Sequence, residues 1–311
     1  MDRLIHAWRI PMKTKFRGVT ERTGVIISGS AGWGEFSPFP EYSPDVAAPW
    51  LRAALEAADE GWPEPIRRSI PVNATVPAVD AATAYELAAA SKCTTVKVKV
   101  AEGDDFARIE AVRSALGPAG RIRIDANGAW DVAAAELNIR RLARFDLEYV
   151  EQPVADVEDM AALRRRIDVP IAADESIRNS SDPARVARLD AADVMVLKVQ
   201  PLGGVRAALR VAERVGLPAV VSSALETSVG IAAGVALAAT LPDLPFACGL
   251  GTVTMLEGDL VADSLVPVDG AIAVKRPVPD RYLVERYGAG TQESSAIGRM
   301  QAVAAYGGIE L

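Results

Sequence analysis

The sequence predicts an α/β fold in which strands and helices alternate around a closed barrel. From about residue 70 onward, short β-branched runs alternate with Ala- and Arg-rich segments of helical period. Each run ends in a polar residue, and successive ends lie roughly 25 residues apart, about the length of one strand, one helix and two connections. These polar residues are Lys99, Asp125, Glu151, Asp174, Lys198 and Ser222. Barrel enzymes carry catalytic groups at the carboxyl ends of successive strands, so the pattern predicts fold and site together.

The segment before this repeat has a different character. Residues 3–10 and 24–29 are predicted to be strands, joined through a basic connection. The stretch GWGEFSPFPEYSP, rich in Gly, Pro and aromatic residues, predicts a loop that packs on or covers another part of the molecule. Residues 45–60 start near a helix-capping residue and are rich in alanine, so a helix is predicted there.

Eight strands and seven helices are predicted from residue 70 onward. The strands are 70–76, 95–100, 121–125, 148–151, 170–173, 194–199, 219–223 and 246–249, and the helices are 80–91, 104–116, 131–144, 157–166, 182–189, 204–214 and 228–239. An open doubly wound sheet gathers ligands at one switch point and would not explain polar residues on five or six consecutive strands. The alternation of strands and helices does not continue into the last 50 residues, where only a short strand at 271–274 is predicted. We expect them to return to the N-terminal strands or to run over the surface, with the last 20 partly mobile.

Composition limits the classes of function. Half of the 311 residues are apolar and the net charge is −7, which favours a globular protein without affinity for nucleic acid or anionic membranes. No membrane-spanning run and no secretory signal are recognised, and the cysteines, Cys93 and Cys248, are too few for a disulfide framework, so a cytoplasmic location is expected. The single histidine, His6, lies far from the polar series. Proton transfer therefore falls to Lys, Asp, Glu or Tyr.

Three carboxylates end neighbouring strands of the predicted barrel. Asp125, Glu151 and Asp174 should converge above the barrel core, where like charges repel and raise the pKa of each acid unless a cation compensates. Oxygen ligands without His or Cys suit Mg²⁺, which keeps sites for water and substrate oxygens. A single such acid would more often be a helix cap or an arginine partner than a metal ligand. Three acids at matching heights favour a metal site.

Lysines flank these carboxylates. Side chains alternate along a strand, so Lys97 and Lys99 share the inward face of one strand, and Lys198 ends a strand across the ring. Burial beside other cations is how a lysine becomes a neutral base. A divalent cation between lysines on opposite walls suits removal of a proton next to a carboxylate, because the metal stabilises the enolate charge that develops. By the same alternation Arg123 points into the site, where it contacts a substrate carboxylate or pairs structurally with an acid.

With these residues in place, the chain resembles the enolase superfamily, in its muconate-lactonizing subgroup. The matching motifs span most of the barrel in order and are KVK (97–99), DANGAW (125–130), EQP (151–153), ADES (173–176) and LKVQPLGG (197–204). The resemblance implies a (β/α)7β TIM-type barrel with a small α+β capping domain, formed by the N-terminal segment and part of the C-terminal segment. It implies residues 1–69 as the cap, 70–260 as the catalytic barrel and 261–311 as the segment that returns to the cap.

The same resemblance implies roles for the site residues. It implies ligands for Mg²⁺, or for Mn²⁺ as its substitute, at Asp125, Glu151 and Asp174. It implies Lys99 as the principal acid and base, with Lys198 as its partner across the site. Lys97 and Asn127 would orient or support the charged groups around them.

Segments outside these motifs indicate which family of the superfamily the chain resembles. GWGEFSPFPEYS, with FRGVTERTG before it, and SSALETSVG (222–230) are similar to segments of the o-succinylbenzoate synthase family. These lyases carry out the syn-dehydration of 2-succinyl-6-hydroxy-2,4-cyclohexadiene-1-carboxylate in menaquinone biosynthesis. By this resemblance Lys99 removes the proton and then assists departure of hydroxide, while the charge of Lys198 stabilises the enediolate through a cation–π contact. The hydroxyls and backbone N–H groups at Ser222 and Ser223, where the next helix is expected to start, would hold the succinyl or carboxylate end.

Two features depart from the family pattern, and alternatives stay open. The region before the barrel is only about 70 residues, short for the superfamily's cap, and no acidic D-x-D motif lies near 248–254, which counts against a dipeptide epimerase. An N-succinylamino acid racemase, or another acid racemase or epimerase, is compatible with two opposed lysines. A barrel that binds an acid or a metal without turnover is the non-enzymatic alternative. The expected partner is a small carboxylate substrate, with no nucleic acid or membrane, and the oligomeric state is not predicted.

Overall fold

A computed structural model describes residues 3–16 and 18–311, and within these ranges three antiparallel strands form the first sheet. They are β1 (Ile5–Phe16), β2 (Val19–Gly29) and β3 (Gly32–Phe36). β1 and β2 form a long hairpin that reverses at Gly18, whose φ of +82° lies in the left-handed region that glycine adopts readily. This sheet lies in the region predicted to form the cap.

The hairpin is longer than predicted from the sequence. The basic segment expected to connect strands at 3–10 and 24–29 lies largely within β1 and β2. Its lysines Lys13 and Lys15 are exposed, whereas Met12 and Phe16 on either side of them are buried. The first five residues of the predicted Gly- and Pro-rich loop likewise form β3. The lysines of this basic segment therefore belong to the exposed face of a sheet and do not form a connection between two strands.

A second sheet forms the barrel, and in the described part of the chain it has seven parallel strands, each beside its neighbour in sequence. They are β5 (Ala74–Val76), β6 (Thr95–Lys99), β7 (Arg121–Asp125), β8 (Leu147–Glu151), β9 (Ile171–Ala173), β10 (Val194–Lys198) and β11 (Ala219–Ser222). Outside this sheet, β4 (Ser69–Pro71) pairs antiparallel with β12 (Ala271–Ala273). β12 confirms the short strand predicted at 271–274.

Isolated bridges close the barrel where the eighth strand is predicted. Cys248 pairs with Val72 beside β5, and Gly249 pairs with Ser222 at the end of β11. The segment thus fills the gap in the ring without forming a regular strand. The predicted first strand at 70–76 is divided into two, because its first half pairs with β12 and its second half with β6.

Helices cover the barrel and the cap. They are α1 (Pro44–Leu55), which continues into a π-helical turn (Glu56–Glu60), α2 (Ala81–Ala90), α3 (Asp105–Leu116), α4 (Val132–Leu142), α5 (Val157–Arg164), α6 (Glu175–Arg178), α7 (Arg185–Arg188), α8 (Val199–Leu202), α9 (Val205–Val215), α10 (Ser228–Thr240), α11 (Arg281–Arg286) and α12 (Glu293–Gly307). Asp80, Asp104 and Asp131 each accept a hydrogen bond from a backbone N–H in the first turn of the helix they precede, which fixes where α2, α3 and α4 begin. The helix predicted at 182–189 is reduced to the single turn of α7.

The C-terminal segment contains a helix that was not predicted. α12 packs against α1, β1 and β2 and buries Met300, Val303 and Ala304. The last 20 residues, expected to be a partly mobile tail, are therefore mostly helical. Gly298 and Gly307 lower the intrinsic helix propensity of this segment, and packing against the cap overrides that preference.

The cap has its own apolar core, and this core reaches the barrel. Side chains of β1, β2, α1 and α12 pack together with Ala224 and Leu225, which follow β11. The cap therefore lies directly over the carboxyl ends of the barrel strands. Across the described ranges, no helix combines the length and apolar character needed to cross a membrane.

Candidate active site

The carboxyl ends of six consecutive barrel strands bring the predicted site residues to one rim. In strand order they are Lys99, Asp125, Glu151, Asp174, Lys198 and Ser222. Lys99 pairs with Asp125, Asp125 with Glu151, and Lys198 with Ser222, whereas Glu151 pairs with Ala172, two residues before Asp174. The regular spacing in the sequence therefore corresponds to one rim of the barrel, with Asp174 offset along its strand.

A small pocket, here called the reaction pocket, lies between this rim and the cap. Phe16 and Phe39 line it from the cap, and Lys97, Lys99 and Lys198 line it from the barrel. The carboxylates that these lysines contact lie beneath or beside them. A ligand in the reaction pocket would therefore meet ammonium groups from opposite walls.

Lys97 bridges two of the carboxylates. Its Nζ donates to Glu151 Oε1 and Oε2 at 2.9 and 3.0 Å and lies 3.1 Å from Asp125 Oδ2. Burial acts to lower the pKa of Lys97, but the charges of Glu151 and Asp125 outweigh burial and raise that pKa. Lys97 is therefore a fixed positive charge between two acids.

Lys99 has fewer charged neighbours. Its Nζ donates to Asp125 Oδ2 and to Asn127 Oδ1, each at 2.6 Å, and lies 5.3 Å from the centre of the Phe16 ring. Burial lowers the pKa of Lys99 further than the charge of Asp125 raises it, and the charge of Lys97 adds to the lowering. Of the two lysines on β6, Lys99 is the one whose surroundings favour a neutral amine.

Lys198 approaches from the opposite wall, because three strands separate β10 from β6 in the sheet. Its Nζ donates to Asp174 Oδ2 at 2.6 Å, and Asp174 Oδ1 accepts from Arg178 Nε at 3.0 Å. Burial acts to raise the pKa of Asp174, but the charges of Lys198 and Arg178 outweigh burial and hold that pKa far below its ordinary value. The two cations keep this carboxylate ionised.

Gln152 follows Glu151 and holds the turn that carries Asp174. Its Oε1 accepts from the backbone N–H groups of Asp174 and Ser176, each at 3.1 Å. Its Nε2 donates to Ser176 Oγ at 2.8 Å and to the Val154 carbonyl at 2.9 Å. Gln152 is buried and has a φ of +37°, a strained backbone conformation for a non-glycine residue. No role was predicted for it, although the Gln of the EQP motif was the available signal.

A polar network extends from the rim to the cap. Arg178 donates to Glu175 Oε1 at 2.6 Å, and the same oxygen accepts from Asn127 Nδ2 at 3.3 Å. Asn127 in turn contacts Lys99. Arg178 Nη1 lies 3.5 Å from the Tyr42 hydroxyl in the cap. Neither Arg178 nor Glu175 was predicted, and the Glu of the ADES motif was the only sequence signal for this network.

Arg123 lies away from the reaction pocket. Its buried guanidinium pairs with Glu148, donates to the Ala247 carbonyl at 2.6 Å and to Asn73 Oδ1 at 3.2 Å, and lies 4.7 Å from the centre of the Tyr149 ring. Alternation correctly placed Arg123 on the inward face. It is two residues before the end of β7, however, which is about 7 Å deeper in the barrel. Arg123 thus pairs with an acid and is not among the residues that line the reaction pocket.

Ser222 and Ser223 both line the reaction pocket. Ser223 Oγ donates to the Gly249 carbonyl at 2.7 Å and lies 2.8 Å from Thr252 Oγ1, so its hydroxyl is already engaged. Ser222 Oγ has no hydrogen-bond partner among the described residues. Of the two hydroxyls, that of Ser222 is available to a ligand.

The first turn of α10, a few residues after Ser223, binds a carboxylate of the cap. Glu35 accepts from the backbone N–H groups of Thr227 and Gly230 at 3.3 and 3.1 Å, and from the hydroxyls of Thr227 and Ser37. Burial raises the pKa of Glu35 to about 8. The start of α10 therefore joins the barrel to the cap, because the N–H groups of Thr227 and Gly230 are occupied by Glu35.

The carboxylates at the rim fit a hard divalent cation by their donor chemistry. Asp125, Glu151 and Asp174 offer only oxygen atoms, follow neighbouring strands and are buried. Burial and the charge of Asp125 raise the pKa of Glu151 to about 7, a shift that a bound cation would oppose. In the part of the chain that is described, no three acidic, His or Cys side chains already surround a metal position. Lysine ammonium groups lie against these carboxylates instead.

Comparison with known proteins agrees with this geometry. A family model described as enolase C-terminal domain-like matches residues 79–288, and one described as enolase N-terminal domain-like matches residues 7–58. In fold, the chain is similar to the muconate lactonizing enzyme of Pseudomonas fluorescens, whose crystal structure contains muconolactone. The TM-score is 0.80 at 23% identity, over 92% of this chain and 98% of that chain.

Curated relatives are nearer in sequence. The o-succinylbenzoate synthase of Thermobifida fusca is 62% identical over 285 residues, which is 90% of each chain. The o-succinylbenzoate synthase of Mycolicibacterium smegmatis is 52% identical over 89% of this chain and 87% of its own length. Identity at this level over nearly the whole chain establishes the family. The chain therefore belongs to the o-succinylbenzoate synthase family of the enolase superfamily, and it is an enzyme of the carbon–oxygen lyase class.

Proposed function

We propose that this enzyme removes water from 2-succinyl-6-hydroxy-2,4-cyclohexadiene-1-carboxylate to give o-succinylbenzoate, a step of menaquinone biosynthesis, with Mg²⁺ as cofactor. One observation carries the proposal: Lys99 and Lys198 face one pocket from opposite walls, beside three buried carboxylates. The names of the curated relatives support the choice of substrate. The reaction breaks the C–H bond next to the ring carboxylate and the C–O bond on the adjacent carbon.

Lys99 is proposed to move the proton. As a neutral amine it removes the proton next to the ring carboxylate, and as an ammonium it returns that proton to the departing hydroxide, so that water leaves. Its position supports this role better than that of Lys97. Lys97 is held between two carboxylates, whereas Lys99 contacts one carboxylate and the neutral amide of Asn127. Because Lys99 is proposed to act first as the base and then as the acid, the proton and the hydroxide must leave from the same face of the ring.

Lys198 is proposed to act by its charge. Its Nζ donates a hydrogen bond to Asp174, a carboxylate that Arg178 also contacts, which holds Lys198 at the wall opposite Lys99. An ammonium on the wall opposite Lys99 can lie against the ring face from which no proton is taken. There it stabilises the negative charge that spreads through the ring as the C–H bond breaks.

Asp125, Glu151 and Asp174 are proposed to hold Mg²⁺, with Mn²⁺ as a substitute. When bound, the cation supplies positive charge that stabilises the developing charge on the substrate carboxylate. Lys97 and Gln152 orient these ligands through the hydrogen bonds described above. Ser222, whose hydroxyl is available in the pocket, is proposed to donate to the substrate, and Ser223 to fix the wall behind it.

The opposed lysines also favour a second candidate, racemisation of N-succinylamino acids, because a base on each wall can exchange a proton on either face of a carbon atom. Purified protein with Mg²⁺ should be given the cyclohexadiene substrate, and separately N-succinylamino acids in deuterated water. Appearance of the aromatic product by ultraviolet absorbance is the expected result. Exchange of the α-proton without aromatic product would overturn the dehydration in favour of the racemase, and ligand binding without either reaction would favour a non-catalytic barrel.

A further inference from the structure

We propose that Glu35 is a positioning residue for the reaction: from the cap, it fixes the loop between β11 and α10 and with it one wall of the reaction pocket. This segment, residues 223–227, is here called the β11–α10 loop. Its first three residues, Ser223, Ala224 and Leu225, line the reaction pocket. The inference rests on the proposed function, because the reaction that Glu35 would serve is the proposed dehydration.

The carboxylate of Glu35 holds the point where the β11–α10 loop ends and α10 begins. It accepts from the backbone N–H groups of Thr227 and Gly230 and from the Thr227 hydroxyl. The approach to the helix is close, because a Cβ at Gly230 would lie only 3.0 Å from the carboxyl carbon of Glu35. The position of Glu35 in the cap therefore sets the position of this junction in the barrel.

Ser37 extends the contact to the neighbouring strand. Its hydroxyl donates to Glu35 Oε1 at 2.7 Å. Gln200 Oε1 accepts from the backbone N–H of Ser37, and Gln200 Nε2 donates to Ser37 Oγ, each at 3.2 Å. Gln200 is buried and lies two residues after Lys198, which ends β10. Glu35 and Ser37 thus connect the carboxyl ends of β10 and β11 through the cap.

Each part of this connection borders the reaction pocket. Lys198 lines the pocket at the end of β10, and the β11–α10 loop lines it beyond the end of β11. Phe39, two residues after Ser37, lines it from the cap. Misplacement of a reacting geometry by about 1 Å can cost about a hundredfold in rate. Loss of the Glu35 carboxylate should therefore impair the reaction although Glu35 does not line the pocket.

Glu56 is a matched control because it makes the same kind of contact at another helix. It is a buried carboxylate of the cap, and it accepts from the backbone N–H groups of Val205 and Arg206 at the start of α9. α9, which the structure describes in full, contributes no residue to the reaction pocket. Loss of either carboxylate should weaken the contact between cap and barrel, but only loss of Glu35 should move a wall of the pocket.

The test compares Glu35→Leu, Glu35→Gln and Glu56→Leu in the full-length protein with Mg²⁺. kcat and KM are measured with the cyclohexadiene substrate, the dissociation constant of o-succinylbenzoate by calorimetry, and Tm by circular dichroism. A smaller fraction of folded enzyme lowers the apparent kcat and leaves KM unchanged, whereas a displaced pocket wall also changes KM. Ser37→Ala is a milder variant that decides the question if Glu35→Leu does not fold.

Glu35→Leu should raise KM and the dissociation constant of o-succinylbenzoate about tenfold, and should lower kcat/KM about 10- to 100-fold. Glu35→Gln keeps the size of the side chain and an acceptor oxygen, so it should keep most of kcat/KM. Glu56→Leu should lower Tm about as much as Glu35→Leu and leave KM unchanged. Ser37→Ala should raise KM several-fold, about the effect of one lost hydrogen bond.

An unchanged KM in folded Glu35→Leu, or an equal rise of KM in Glu56→Leu, would overturn the inference. An unchanged KM in Ser37→Ala would overturn it if Glu35→Leu does not fold. The proposed function is judged on the unmodified enzyme alone. If that enzyme racemises N-succinylamino acids and forms no aromatic product, the proposed function fails, and the same comparison of KM with the racemase substrate still tests the role of Glu35.

Discussion

Replacing Gln152 with leucine should damage the site without removing any group proposed to touch the substrate. The side chains are similar in size, so the main change is that the N–H groups of Asp174 and Ser176 lose their acceptor. An unpaired buried donor costs about 1 to 3 kcal/mol, and the Asp174 N–H is fully buried whereas that of Ser176 is partly so. The free energy of unfolding should therefore fall by about 2 to 4 kcal/mol.

The consequence for activity follows from the same hydrogen bonds. If Asp174 shifts, kcat/KM should fall about 10- to 100-fold, as when residues that support metal ligands are removed. Urea denaturation and steady-state kinetics measure the two effects. Gln301→Leu, at an exposed position of α12, is the matched control and should change neither quantity. A Gln152→Leu variant that loses less than about 0.5 kcal/mol of stability and keeps its kcat/KM would refute this account of the turn.

Three further results are expected. Because the pKa of Glu35 is about 8 in the folded protein and ordinarily about 4.5, the folded state binds more protons between these values. The free energy of unfolding should therefore fall as pH rises from about 5 to about 8, by up to about 1.4 kcal/mol per pH unit. In urea denaturation, Glu35→Gln should make this pH dependence weaker. An unchanged pH dependence in the variant would contradict the raised pKa of Glu35. Arg22 is buried and donates to the carbonyls of Leu225 and Ser37, so Arg22→Met leaves two buried acceptors unpaired and should lower the free energy of unfolding by about 2 to 6 kcal/mol. The exposed Arg281→Met should change it by almost nothing, and similar losses in the two variants would refute this reasoning. Removal of divalent cations with a chelator should abolish turnover and lower Tm, and added Mg²⁺ should restore both, whereas full turnover in the chelator would contradict the metal site.

The barrel was predictable because its signals are local. A β-branched run and the polar residue that ends it lie within a few residues of each other, and helix caps such as Asp80 and Asp131 sit at the boundary they define. The repeat then places Lys99 and Lys198 on opposite walls without knowledge of any contact. The inward faces of strands also follow from alternation alone.

What was not predictable depends on contacts between segments far apart in the chain. The alternation of side chains along β7 gave the face on which Arg123 lies but not its depth in the barrel. That depth places its guanidinium beside Glu148. Glu35 fills the start of α10 from more than 190 residues away, and no periodicity in either segment indicates this. The helix α12 has weak intrinsic propensity and forms on a cap surface that exists only in the folded protein.

The turnover of a Lys99→Ala variant with the cyclohexadiene substrate tests the proposed dehydration most directly, because the Lys99 amine is proposed to remove the proton. Circular dichroism and Tm confirm that the variant is folded, and Lys92→Ala, at an exposed lysine, serves as the control. The kcat of Lys99→Ala should fall by more than about a hundredfold, the usual contribution of acid–base catalysis, while the control keeps its activity. A folded Lys99→Ala variant with near-wild-type turnover would contradict it.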